Sequence, residues 1–175
     1  MPRGTIAEPQ DAPDSSSVYV VSLDRLEHAA LRTAVSYWRS LRGGRRFPSR
    51  SQLSPRDMAA ILRHVVLLKV LDGGADYEYR IAGDAHVQAF SIPFKGLRLG
   101  EVSVRAPVIG RVLKGLYEHV RSTGEAFGTR GWVDKELPAT RFVYYESALL
   151  PLGEDDETVD HILIVSIYVP KAPDF

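Results

Sequence analysis

The sequence contains no cysteine among its 175 residues. Disulfides, thiolate metal sites, iron–sulfur clusters and cysteine nucleophiles are therefore excluded, as is photochemistry in which a flavin bonds to a cysteine. The sequence also lacks any apolar run near the roughly 20 residues of a membrane span, and residues 1–17 lack the apolar core of a signal peptide. We expect a cytoplasmic protein that does not enter a membrane.

A net charge is absent as well, because 22 basic side chains balance 22 acidic ones. Nucleic acid is therefore not an expected partner of the chain as a whole. The balance conceals one basic stretch, since residues 24–63 carry nine arginines against three acidic residues. Arginine favours forked contacts with phosphate or carboxylate. Arginine is also the commoner basic residue throughout the chain, so a solvated surface is the simpler interpretation.

The composition divides the chain into three predicted parts. Residues 1–17, with three prolines and three consecutive serines, are expected to form a flexible tail. Residues 18–63 are predicted to form a helical extension, and residues 64–175 the core. Within the extension, a short extended piece at 18–21 precedes two predicted helices, at about residues 22–41 and 54–63.

The first predicted helix has a wide apolar face. Besides one stripe of apolar residues at spacings of three and four, a second stripe lies beside it, formed by Leu31, Val35 and Trp38. Together the stripes cover about half of the helix circumference, more than packing on one side requires. The second stripe is therefore predicted to contact a second copy of the chain or another partner. Deeper burial of the helix in its own core is the equal alternative.

From residue 64 the pattern is typical of strands. Two β-type runs flank Gly73–Gly74, and three further runs close the chain after a helix predicted at 106–122. Between them a short helix is predicted at 84–91 and an irregular piece at 92–105. This order predicts an α+β fold, a five-stranded antiparallel sheet with helices on one face. The predicted strands are 64–72, 77–83, 125–133, 141–151 and 158–169.

Alternation along the strands predicts which side chains face the helices. The set with the more charged or polar residues is assigned outward, so the other set forms an inner face. That face combines aliphatic side chains with four hydroxyls, and the long helix and Phe90 are expected to close it. We predict a small-molecule site there; a filled core whose hydroxyls bond to neighbouring backbone is the alternative. The predicted site residues are Val66, Leu68, Tyr79, Ile81, Phe90, Val112, Leu116, Tyr145, Ser147, Ile164 and Ser166.

The residues offer little support for catalysis or metal binding. The five histidines lie far apart without a metal-ligand spacing. No nucleophile elbow, P-loop or dinucleotide fingerprint is present. The acidic run GEDDET, residues 153–158, is expected to lie in an exposed turn. We therefore predict neither an enzyme nor a metal site.

Several short motifs, in their order along the chain, resemble those of one family. With the element order, they resemble the single-domain PAS proteins common in alphaproteobacteria, over about residues 35–168. One departure is Ile92–Pro93–Phe94–Lys95, where relatives tend to have a polar turn that contains aspartate. The matching motifs are Tyr37–Trp38, Leu41–Arg42–Gly43, Pro48, Arg50, Ser51, Pro55, Asp57, Tyr79–Arg80, Gly83, Gly96, Leu99, Tyr145–Glu146 and Leu150–Pro151–Leu152.

The resemblance implies a sheet that curves over a small-molecule cavity, and binding and signalling rather than catalysis. The first interpretation is a non-catalytic sensor or adaptor that binds an unidentified small molecule and signals through a homodimer or a separate protein. Some PAS sensors bind haem through a histidine on the long helix; His119 is the candidate here, and haem is disfavoured. The alternatives are an interaction module whose Arg-rich segment 39–50 binds a nucleotide, an acidic protein or nucleic acid, and a small enzyme.

Overall fold

The structure, a computed structural model, describes residues 17–133 and 140–173. The predicted tail lies outside the described residues except for Ser17, which begins the first strand. Among the described residues, the strands are β1 (Ser17–Val21), β2 (Val65–Leu71), β3 (Asp76–Ala82), β4 (Phe127–Trp132), β5 (Phe142–Leu152) and β6 (His161–Pro170). The α-helices are α1 (Ala29–Arg42), α2 (Asp84–Phe90), α3 (Leu99–Arg105) and α4 (Pro107–Thr123).

The strands form one antiparallel sheet in the order β1-β4-β5-β6-β2-β3. The predicted α+β fold is confirmed, but the predicted number of five strands was wrong, because the described sheet has six. The sixth is β1, in which Val18 pairs with Gly131 and Val20 with Thr129. So short a piece forms a strand only beside a partner, and that partner lies far along the chain.

The two edges of the sheet differ in how they are covered. The outer side of β3 is partly occupied by the segment before α3, where Glu78 and Arg98 form an antiparallel bridge. The Tyr79 amide also donates to the Leu97 carbonyl, and the Gly96 amide donates to the Tyr79 carbonyl. The other edge is β1, beside which the described part of the chain has no further strand.

The helices between β3 and β4 lie on one face of the sheet, and α1, from the predicted N-terminal extension, lies on the other. Helix α1 packs on β5 and β6, on the face opposite the one that α4 covers. There it buries the predicted partner stripe, because Leu31, Val35 and Trp38 are at most 5% exposed. The indole of Trp38 donates a hydrogen bond to the Pro151 carbonyl on β5 at 2.9 Å. These three side chains are therefore covered by their own chain and offer no contact to a second one.

The first helix begins later than predicted. Ser22 does act as a cap, but of a short 3₁₀ turn, Leu23–Arg25, and α1 begins only at Ala29. Between them Leu26 is extended and buried, and the Glu27 amide donates to the buried carboxylate of Glu146 on β5. This tertiary hydrogen bond takes an amide that a continuous helix would use, which ends the first turn.

The helix predicted at 54–63 is also shorter and tighter than expected. The described element is a 3₁₀ helix, Ala59–His64, preceded by a turn. Met58 and Ile61 are both buried and are three residues apart. That spacing repeats on one side of a 3₁₀ helix, which has three residues per turn. The burial of this pair therefore fits the tighter helix.

The opposite face of the sheet is covered by α2, α3 and α4. Helix α3 lies within the predicted irregular piece, where the Glu101 carboxylate accepts the Arg98 amide at its beginning. Its buried residues Leu99 and Val102 face the core. Helix α4 approaches α3 closely at Gly110, where an added Cβ would lie 2.7 Å from the Ser103 Cα. The crossover from β3 to β4 is thus a packed group of helices that closes over the sheet.

Candidate functional site

A cavity of about 80 Å³ lies between α4 and the sheet. Its floor comes from β4, β5 and β6, one wall comes from α4, and α2 closes one end. Val108 and Val112 border it and are 47% and 36% exposed, and Val18 of β1 lines it as well. The cavity therefore opens to solvent between the first turns of α4 and strand β1.

Seven of the eleven predicted site residues line this cavity. They are contributed by strands, by α2 and by α4, so the fold brings together side chains that are distant in sequence. On β5 and β6 the lining residues alternate along the strand, as the predicted inner face does. The seven are Phe90, Val112, Leu116, Tyr145, Ser147, Ile164 and Ser166.

The other four predicted residues do not line it. Val66 and Leu68 are on the same side of the sheet, since Val66 pairs with Ile164, but they are fully covered. Tyr79 is also covered, with its hydroxyl 2.9 Å from that of Tyr117. Ile81 was assigned to the wrong face. A shift of register between Leu67 and Leu68 brings it opposite Leu67, against a second cavity of about 10 Å³ on the α1 side.

The cavity also contains side chains that were not among the predicted site residues. Those with polar side chains are His86 on α2, Tyr117 on α4, Thr129 on β4, Thr140 just before β5, and Tyr168 on β6. Thr129 pairs with Ser147 across the sheet, so applying the alternation to β4 would have found it. His86 carries no such signal, because a single histidine in a seven-residue helix has no clear periodicity.

The hydroxyls and the imidazole form two buried hydrogen-bonded pairs. The Ser147 and Ser166 hydroxyls are 2.7 Å apart, and the Tyr168 hydroxyl bonds to Nδ1 of His86. Burial lowers the pKa of His86 to about 3, raises the pKa of Tyr145 to about 12, and raises the pKa of Tyr168 well above its ordinary value. At neutral pH these three side chains are therefore uncharged. No lysine, arginine, aspartate or glutamate of the described residues lines the cavity.

Two polar atoms of the cavity walls have no partner among the described residues. They are Nε2 of His86 and the hydroxyl oxygen of Thr129, and both atoms are buried. The two residues are at most 4% exposed. Buried polar groups normally have a hydrogen-bond partner, which makes this pair the least satisfied part of the cavity.

The arginines of the segment 39–50 are largely held by the same chain. Arg39 pairs with Asp24 at 3.0 Å and Arg45 with Asp156 at 3.4 Å. Arg46 donates to the Thr123 carbonyl at 2.7 Å. Two of these contacts join the segment to the GEDDET turn and to the end of α4, so these side chains stabilise the fold.

The predicted candidate for a haem ligand, His119, lies on α4. His119 is exposed and its ring packs on Phe127 with centroids 5.0 Å apart, and it does not line the cavity. Within residues 17–133 and 140–173, no group of three or more histidine or acidic side chains is arranged to hold a metal ion. No helix in these ranges is long and apolar enough to cross a bilayer.

The fold is an antiparallel sheet with a helical crossover that closes over a small cavity. The chain belongs to the PAS domain family, because a sequence model of the PAS domain matches residues 26–165. PAS domains are generally non-catalytic modules of signal transduction. No curated protein and no solved structure matches the chain significantly.

Proposed function

We propose that the protein is a non-catalytic sensor or adaptor that binds a small, mainly apolar molecule in the cavity and passes the signal to a second copy or a separate protein. The observation that carries the proposal is the cavity, walled by aliphatic and aromatic side chains with a few hydroxyls. Such a composition is typical of small-molecule sites. Within the part of the chain that the structure describes, its lining contains no carboxylate or other charged side chain for acid–base catalysis.

The size of the cavity limits the ligand. Its volume of about 80 Å³ is several times the ~10–15 Å³ that one water molecule needs. It is well below the ~300 Å³ at which sites for drug-sized molecules begin. A compact ligand, such as a single ring or a short chain, therefore fits better than a nucleotide or a haem.

The position of the mouth supports a signalling role. Val18 borders the mouth, and β1 continues through Ser22 and Leu26 into α1 on the other face of the sheet. A ligand that contacts Val18 thus touches an element joined directly to the outer helix. Binding changes such an arrangement only if the ligand has different affinities for two states of β1 and α1.

An exposed aromatic pair supports a protein partner. Trp132 on β4 is 66% exposed and Tyr19 on β1 is 54% exposed, and their strands are neighbours. The Trp132 ring packs on Tyr144 at a centroid distance of 4.9 Å. Aromatic side chains are enriched in protein interfaces. We therefore assign the homodimer or partner contact to this surface, in place of the buried stripe on α1.

The Arg-rich segment is the second candidate for function, as a site for a nucleotide, an acidic protein or nucleic acid. Arg39, Arg45 and Arg46 already have partners in the chain. A polyanion would have to displace these contacts, so we favour the cavity.

The proposal is tested by ligand binding with a cavity-filling variant. Leu116→Trp places a large side chain at the cavity wall, and Val104→Trp is the matched control at a position that is 83% exposed and away from the lining. Native mass spectrometry and a thermal-shift screen of small apolar molecules are run on the full chain. We expect binding in the wild type and the control, and its loss in Leu116→Trp. If Leu116→Trp binds as the wild type does, or if nothing binds, the proposal is wrong.

A further inference from the structure

The two unpartnered polar atoms of the cavity, Nε2 of His86 and Oγ1 of Thr129, carry information about the ligand. A buried polar atom without a hydrogen-bond partner is unfavourable, because it has lost water and gained nothing in return. Both residues line the same cavity. A ligand that supplies the missing partner therefore gains affinity that a pure hydrocarbon cannot.

The hydrogen bond between Tyr168 and His86 bears on which kind of group His86 presents. A phenol is a good donor and a neutral imidazole nitrogen a good acceptor. We therefore assign the Tyr168 hydroxyl as the donor and Nδ1 of His86 as the acceptor. A neutral imidazole carries one proton, so that proton is on Nε2. His86 thus presents an N–H donor, and the ligand must supply an acceptor.

The uncharged lining that the described residues form limits the ligand further. Among the described residues, no side chain of the cavity can pair with a carboxylate, a phosphate or an ammonium group. Burying an unpaired charge is far more costly than burying a neutral polar group. An ionised ligand is therefore rejected, although its carboxylate would be a strong acceptor for an N–H group.

We propose that the ligand class is a neutral, compact, mainly apolar molecule that carries one oxygen acceptor, such as a small ketone, aldehyde or ester. The Nε2–H of His86 donates to this oxygen, and the Thr129 hydroxyl is another donor in the cavity wall. The inference rests on the proposed function, since it names the chemistry of the molecule that the same cavity binds.

The test compares three probes of similar size. Cyclohexanone carries the acceptor, methylenecyclohexane has the same shape with a CH₂ in place of the oxygen, and cyclohexanecarboxylate carries a charge. Dissociation constants are measured by NMR titration for the full wild-type chain, for His86→Phe and for Thr129→Val. His86→Phe keeps an aromatic ring without the N–H, and Thr129→Val keeps the branched shape without the hydroxyl.

We expect the wild type to bind cyclohexanone about fivefold more tightly than methylenecyclohexane, the effect of one neutral hydrogen bond. His86→Phe should remove this preference while it still binds the hydrocarbon, and Thr129→Val should reduce it. The carboxylate should bind least. In the free wild type, the imidazole ¹⁵N shifts should show the proton on Nε2.

The outcomes separate the two proposals. If both neutral probes bind equally, if His86→Phe keeps the preference for the ketone, if the carboxylate binds best, or if the proton is on Nδ1, the inference on ligand class is overturned and ligand binding stands. If neither neutral probe binds the wild type, both the inference and the proposed function are overturned.

Discussion

The buried imidazole of His86 should make the stability of the protein sensitive to mild acid. Its ring is covered by Phe90, Phe94, Tyr79 and Tyr168, and burial alone lowers its pKa to about 3. In the unfolded chain a histidine has a pKa of about 6.5. The unfolded state therefore binds more protons than the folded state between about pH 3 and pH 6.5.

The sign and the size of the change in stability follow from this difference in proton binding between the two states. The contribution of His86 to the free energy of unfolding is fully present above pH 6.5. It is lost as the pH falls toward 3, at up to ~1.4 kcal/mol per pH unit. Between pH 7 and pH 5 the free energy of unfolding should fall by about 2 kcal/mol from this residue. Glu118, whose pKa is lowered to about 2 by hydrogen bonds from Arg121 and Tyr77, contributes mainly below this window.

The assay is urea unfolding of the wild type and His86→Phe at pH 7 and pH 5. We expect the wild type to lose about 2 kcal/mol more than His86→Phe between the two values. His119→Phe, which removes an exposed histidine on α4, is the matched control and should keep the wild-type dependence. Equal losses in the wild type and His86→Phe would mean that His86 is not buried and neutral in the folded protein.

Two further predictions concern packing. Trp38→Phe removes the hydrogen bond to the Pro151 carbonyl and part of the ring that packs α1 on the sheet. It should lower the free energy of unfolding, measured in urea, by about 1–3 kcal/mol. An unchanged midpoint would show that the packing of α1 does not depend on this contact. Gly83→Ala should cost about 1–3 kcal/mol or more, since its Cβ would lie 2.6 Å from the Leu62 carbonyl oxygen and closer still to that of Arg63. Its control, Gly115→Ala on α4, has no atom within 4 Å and should gain up to about 1 kcal/mol from helix propensity; equal effects of the two alanines would refute the close approach at Gly83.

The fold was largely predictable because strand alternation and helix ends are local properties. The hairpin around Gly73–Gly74 and the three closing strands lie close to their predicted positions. Long-range contacts set the rest. Strand β1 forms because it pairs with β4, and the break before α1 depends on the hydrogen bond to the carboxylate of Glu146. Neither contact can be predicted from a local sequence pattern.

The residues of the cavity were likewise predictable only in part. The inner set on β5 was assigned by placing Glu146 outward, and its neighbours Tyr145 and Ser147 do line the cavity. Glu146 is nevertheless only 6% exposed, because the chain before α1 covers it. The charged residue therefore identified the outer face of β5 correctly, although that face is not exposed to solvent at this position. Ile81 was misassigned because one register shift reverses alternation along the strand.

The unequal edges of the sheet limit how such chains could join side by side. Strand addition needs free backbone amides and carbonyls, and the segment that ends at Arg98 already uses some of those on β3. Among the described residues, β1 is thus the more receptive edge. Two chains joined there through a twofold axis would leave only the partly occupied edge of β3 on each, which disfavours growth beyond a pair into a filament.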